Sequence, residues 1–254
     1  MAANSGPRQA WTAAAVGRLV WAIISVFVLE SILIGLAAAP ALVFFVWHLD
    51  WDLRPEVLRL GILAAAAVPA YVIFALLLVL FTGLATRITR WRPPRVAELP
   101  IAELSWDLTR WARYGILSHV ARSLTGSLLR ATPVWVWFMR LNGARIGRRV
   151  WVNSLDVVDH CLLDIGDDVV IGAGAHVSGH TVEHGVIRLA PVTIGTGSTI
   201  GVSTHVEIGA VIGTHTTVGS LSMVPKFAEL ADHTTYVGVP VRPLEPAPED
   251  RHDD

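Results

Sequence analysis

His180, Glu183 and His184 stand together in the segment VSGHTVEHGVIR, residues 177–188. A histidine titrates near neutral pH and can take a proton from an amine or hydroxyl, while a carboxylate nearby can orient it or help hold a cationic acceptor. His180 and Glu183 are therefore the candidate catalytic pair. The bland alternative for His180 is a polar corner residue bonded to its neighbours. The letters H-x-x-E-H also spell a zinc site whose ligands share one helix face. Gly179 and Gly185 bracket the motif, and the sequence on either side has no helical period. His176, His180 and His184 would point in different directions there, and no metal is expected.

That surrounding period is six. Ile165, Ile171 and Val177 keep the step, and Ile194, Ile200, Val206, Ile212, Val218 and Val224 resume it. Glycine follows many of these aliphatics, as at Gly166, Gly172, Gly195, Gly201, Gly213 and Gly219, and a small or β-branched residue often sits four places on. A six-residue step of short β-prone pieces is the pattern of a parallel β-helix, in which each coil buries its aliphatics and stacks on the next. Three hexads make a coil of 18 residues, so Ile194 should lie beneath Ile212 and Ile200 beneath Val218. The step breaks between Val177 and Ile194, a gap of 17 where register asks for 12 or 18. Irregularities in a repeat are where function tends to be placed, and this one holds the candidate pair.

The run IGTGSTIGVSTHVEIGAVIGTHTTVG and the later GVPVRP resemble the left-handed β-helix and the ending of hexapeptide-repeat acyltransferases, with Val241 where alanine is commoner. Most of the chain after residue 19 is similar to the membrane-bound C-terminal domains of ε-poly-lysine synthetase and related peptide synthetases. The resemblance implies transfer of an acyl or aminoacyl group from a thioester to an amine or hydroxyl, with His180 as general base and Glu183 as its partner. The thioester would be an acyl-CoA or the phosphopantetheine of a carrier protein. The second donor would need a separate adenylation and carrier protein, and the acceptor would be a small molecule or peptide. The resemblance also implies a homotrimer with active sites between subunits, and a donor arm near Ser222, Lys226 and Arg242. Those three could equally be ordinary capping polarity. A non-catalytic membrane scaffold and a γ-carbonic-anhydrase-like metal enzyme, with His205 and His215 recruited across a trimer interface, are the alternatives.

The rest of the chain must carry this coil. Of 254 residues 53% are hydrophobic and only 16% charged, too apolar for an ordinary soluble protein. Leu19 to Trp47 has Glu30 as its only charge, and Leu60 to Ala85 has none; each is long enough to cross a hydrocarbon core of ~30 Å. The arginine-rich outer flanks place both termini and the β-helix on the cytoplasmic side. Glu30 is a costly residue inside a span, serving either function or a bond to a neighbouring hydroxyl. Between Arg87 and Arg149 twelve arginines face three acids, a net +9. No nucleic-acid motif accompanies them, so membrane lipid and phosphate are the expected partners. The single Cys161 excludes an intramolecular disulfide.

The expected organisation is a lead-in over 1–18, a two-helix transmembrane hairpin over 19–86 and a basic amphipathic connector over 87–142. A left-handed β-helix with its cap follows over 143–242, then a disordered tail over 243–254. The connector should hold a helix packed on the coil or lying in the lipid interface. PVWVWFMR, residues 133–140, should lie in that interface, and the segment from Phe227 to Arg242 should leave the repeat and cap the coil.

Overall fold

The computed structural model describes residues 11–51 and 54–244. Most of the expected lead-in, and the tail beyond Leu244, lie outside the described residues. The chain divides into two compact units, one of residues 1–130, 137–143 and 182–188, the other of 131–136, 144–181 and 189–254.

The first unit is helical. Helix α1 runs Ala13–Leu49 and α2 runs Glu56–Ile88. The first begins inside the expected lead-in because the Thr12 side chain caps it, accepting from Ala15 N at 3.2 Å. Its buried residues are Ala15, Ala22, Val26, Glu30, Leu33, Ala37 and Ala41, a narrow and mostly small-residue stripe. The exposed remainder is apolar, including Phe27, Val28, Leu42 and Val43. Both helices are long and apolar enough to cross a membrane.

Helix α3, Trp106–Leu129, starts at Ser105, whose hydroxyl accepts from Leu108 N, and packs against α1 and α2. Helix α4 spans Pro133–Leu141. Trp135, Phe138 and Met139 in PVWVWFMR are fully buried, so this segment is core where sequence placed it in an interface. Aromatic residues in a short run fit either setting; burial distinguishes them. The end of α4 explains several of the connector arginines. Arg87 Nε and Arg92 Nη2 donate to Leu141 O at 3.1 and 2.6 Å, and Tyr114 Oη donates to Asn142 O at 2.9 Å. Two guanidinium groups thus satisfy a helix C-terminus, where the macrodipole favours positive charge.

In the second unit the six-residue columns become parallel ladders. Ile194 pairs with Ile212, Ile200 with Val218 and Val206 with Val224, the contacts the 18-residue coil requires. Buried hydroxyls tie coil to coil: Ser198 Oγ donates to Gly213 O at 2.7 Å, Thr204 Oγ1 to Gly219 O at 2.9 Å and Thr216 Oγ1 to Ala231 O at 2.7 Å. The repeat does not stop at Phe227. Leu230 pairs with Ile212 and Tyr236 with Val218, and Tyr236 Oη accepts from Ala231 N at 3.0 Å. A leucine and a tyrosine continue the column where only isoleucine and valine were counted. The ending is instead an antiparallel pairing of Val237 with Arg242.

Two irregularities interrupt the ladders. Ile165 pairs with Ile194 and Val177 with Val206, so 29 residues separate stacked positions and eleven leave the coil between Val177 and Ile194. These form a hairpin of strands His180–Glu183 and Val186–Leu189, turning at His184 and Gly185, both at positive φ. The outer part of the hairpin belongs to the first unit, where Gly185 O accepts from Ile101 N at 2.9 Å and Arg188 meets Glu98 at 3.0 Å. The second irregularity is milder. Ile146 pairs with Ile165 at a spacing of 19, while Val157 bridges Val177 at 20, and the surplus is taken up around a short helical turn at His160–Leu162.

Candidate active site

The two irregularities meet. Asp159 opens the His160–Leu162 turn with a left-handed backbone, a conformation that Asp tolerates better than most residues. Gly179 lies directly against that turn: a Cβ there would come within 2.6 Å of Leu162 Cβ. Glycine therefore lets the departing hairpin strand close on the turn. Ala190 N donates to Gly179 O at 3.0 Å and shuts the base of the hairpin.

His180 is the first residue beyond this closure. Its Nδ1–H donates to Asp159 Oδ2 at 2.5 Å, and its backbone N donates to Ser178 Oγ at 3.3 Å. Ser178 Oγ also lies 3.3 Å from Asp159 Oδ2. The Asp159 side chain is 7% exposed and that of His180 is 29% exposed. With Nδ1 committed to the carboxylate, neutral His180 carries its lone pair on Nε2. The bond to Asp159 raises the His180 pKa, burial opposes this, and the charges of Asp159 and Glu207 raise it further. A histidine whose folded pKa is raised contributes stability below its unfolded pKa and loses it as pH climbs through the folded one.

His176 and His205 stand on paired positions of the coil, their rings 5.4 Å apart. Burial, followed by the neighbouring His205, lowers the His176 pKa, against the pull of Asp156 and Glu207. Among the described residues no group of three or more histidines, cysteines and carboxylates is arranged to hold a metal ion.

The partner found for His180 is Asp159, which sequence reasoning did not single out. Glu183 ends the strand that His180 begins, and positions three apart in a strand fall on opposite faces. The carboxylate bonded to Nδ1 is thus that of Asp159. The signal for Asp159 was the faltering of the six-residue step before Ile165. Ser222 is 2% exposed, with its hydroxyl accepting from Gly238 N at 3.1 Å. This bond ties the last coils together. Lys226 is half-buried and Arg242 exposed. Elsewhere on the coil a shallow groove of about 610 Å³ runs past Arg145, Asp164, Gly166, Thr193, Thr196 and Thr214.

The coil is similar to hexapeptide-repeat acyltransferases. A hexapeptide-repeat acetyltransferase from Vibrio cholerae is 23% identical with a TM-score of 0.38, over 41% of this chain and 62% of its own. A maltose O-acetyltransferase from Clostridium difficile 630 is 24% identical with a TM-score of 0.36, over 41% of this chain and 59% of its own. In sequence the chain is 26% identical over 117 residues, 41% of its length, to the delta-poly-L-ornithine synthetase of Acinetobacter baumannii (strain AB307-0294), of which it spans 9%. That relative is a poly-amino-acid synthetase, the kind of protein the repeat segment resembles. No family model matches the chain.

Proposed function

We propose that the protein is a membrane-anchored acyltransferase with a left-handed β-helix, and that His180 is its general base. The observation that carries this reading is the Asp159–His180 pair at 2.5 Å, placed where the chain leaves an otherwise regular coil. Asp159 and Ser178 are positioning residues, fixing the imidazole so that Nε2 is the basic atom. His180 Nε2 takes the proton of an acceptor amine or hydroxyl as its nitrogen or oxygen attacks the thioester carbonyl. The tetrahedral intermediate collapses, the C–S bond breaks, and the departing thiolate receives the proton from the imidazolium. The chain returns unchanged.

The donor in this reading is an acyl-CoA, whose extended arm suits a shallow groove along the coil. The poly-ornithine synthetase likeness favours an aminoacyl thioester as the second reading, with Glu183, Lys226 and Arg242 contributing to acceptor or donor binding. Purified protein offered labelled acetyl-CoA and a carrier-bound aminoacyl thioester in parallel should consume one of them. Consumption of neither, across a panel of amine and alcohol acceptors, would favour the scaffold reading.

The apolar exposed surfaces of α1 and α2 support membrane anchoring, and the arginine-bearing flanks support cytoplasmic termini. A cysteine introduced near residue 254 in a Cys161-substituted chain should resist impermeant reagents in intact cells. Mass measurement in nanodiscs should give a homotrimer, and a fully active monomer would refute that assembly.

A pH profile follows from the raised His180 pKa. Because only neutral His180 can accept a proton, kcat/KM should rise with pH through a midpoint above the ordinary histidine range. Asp159→Asn removes the main cause of the shift, so its midpoint should move to lower pH while its plateau falls. An unchanged midpoint would show that Asp159 does not act on the base.

A further inference from the structure

Glu30 lies in the middle of α1 and is 9% exposed, and its Oε1 has no hydrogen-bond partner. It lines a small cavity with Leu33 of its own helix, Leu78 and Thr82 of α2, and Leu117 and Ala121 of α3. The cavity measures about 10 Å³ as the space open to the centre of a water molecule, close to the room that one water needs. Every other lining side chain except Thr82 is apolar.

We propose that Glu30 and Thr82 form a binding site for a proton and a single water molecule within the helical unit. An ionised carboxylate without a counter-charge in apolar surroundings is strongly disfavoured, whereas a neutral carboxyl can donate to one water and be satisfied. The neighbouring cations do not supply that counter-charge. Arg113, one turn before Leu117 on α3, is held by Thr109 O, Thr109 Oγ1 and Ser25 Oγ and lies 4.8 Å from the Trp91 ring centre. Arg87, beyond Thr82 on α2, donates to Leu141 O and Arg140 O, and Arg18 on α1 donates to Leu104 O and Glu103 O. No other titratable side chain lines the cavity. One carboxyl and one hydroxyl are too few oxygens to replace the shell of a metal cation, which takes six or more. A proton with one water is the occupant of matching size and bonding.

Infrared spectroscopy of the full-length protein in nanodiscs tests this directly. At neutral pH the wild type should show a protonated-carboxyl band that shifts in heavy water and is lost in Glu30→Gln. Thr82→Val should shift the same band, because the bridged water loses one partner. Glu30→Gln mimics the neutral acid, so it should melt within about 2 °C of wild type at neutral pH. It should also lack any loss of stability that the wild type suffers in alkali. Absence of the band from the wild type would overturn the proposal even if the variant failed to fold. So would a wild-type melting temperature that depends on sodium against choline. Neither result would bear on the His180 chemistry.

Discussion

His180→Ala is expected to lower the acyl-transfer rate by ~10²–10⁴-fold, the usual contribution of a positioned general base, without lowering the melting temperature by more than a few degrees. The coil explains why the two effects should separate. The columns that hold it together are buried aliphatics such as Val177, Ile194 and Val206, and the hydroxyls of Ser198, Thr204 and Thr216. His180 belongs to neither set. Its strongest bond is to Asp159, and losing it leaves a carboxylate that still has Ser178 beside it. Initial rates at saturating donor, with melting and assembly measured on the same preparation, give the comparison. Wild-type turnover in His180→Ala would remove the residue from the mechanism and direct attention to His176 or His184. Glu183→Ala should cost less than His180→Ala, because the Nδ1 partner is elsewhere.

Gly195→Ala should destabilise the coil by roughly 1–3 kcal/mol, as overpacking of a close contact does. The added methyl would meet Gly213 C and O at 2.6 Å and Thr214 N at 2.7 Å. These are backbone atoms of the next coil, bonded through Gly195 N to Ile212 O at 2.8 Å, and they cannot move aside without opening the ladder. The internal control has the opposite sign. Gly115 in α3 has nothing within 4 Å of its would-be Cβ, so Gly115→Ala should stabilise by about 0.5–1 kcal/mol through helix propensity alone. Thermal or denaturant melting of the two variants reads both. Equal and small effects would mean that the coils are not stacked as closely as these contacts require.

The comparison of sequence with structure turns on which constraints are local. Pairings such as Ile200 with Val218 could be counted from the sequence because every coil repeats the same arrangement, and a step of six writes the contact map directly. Leu230 and Tyr236 were missed because the column tolerates residues outside the aliphatic alphabet wherever volume and a partner for the hydroxyl are available. His180 could be singled out as a candidate because it sits in a break. Asp159 could not, since it comes from a different irregularity 21 residues earlier, and only the closing of Gly179 on the Leu162 turn joins them. The burial of Trp135, Phe138 and Met139 was equally hidden, because an apolar aromatic run reads alike for a lipid interface and for a core.

The eleven-residue excursion re-enters the coil in register, with Ile165, Ile171 and Val177 stacked on Ile194, Ile200 and Val206 as though nothing had intervened. The scaffold is therefore indifferent to the length of what is inserted there. A hairpin that need not be a multiple of six can lengthen, shorten or be exchanged while the rungs above and below stay fixed. Changes of length in the hairpin are thereby separated from the register of the coil.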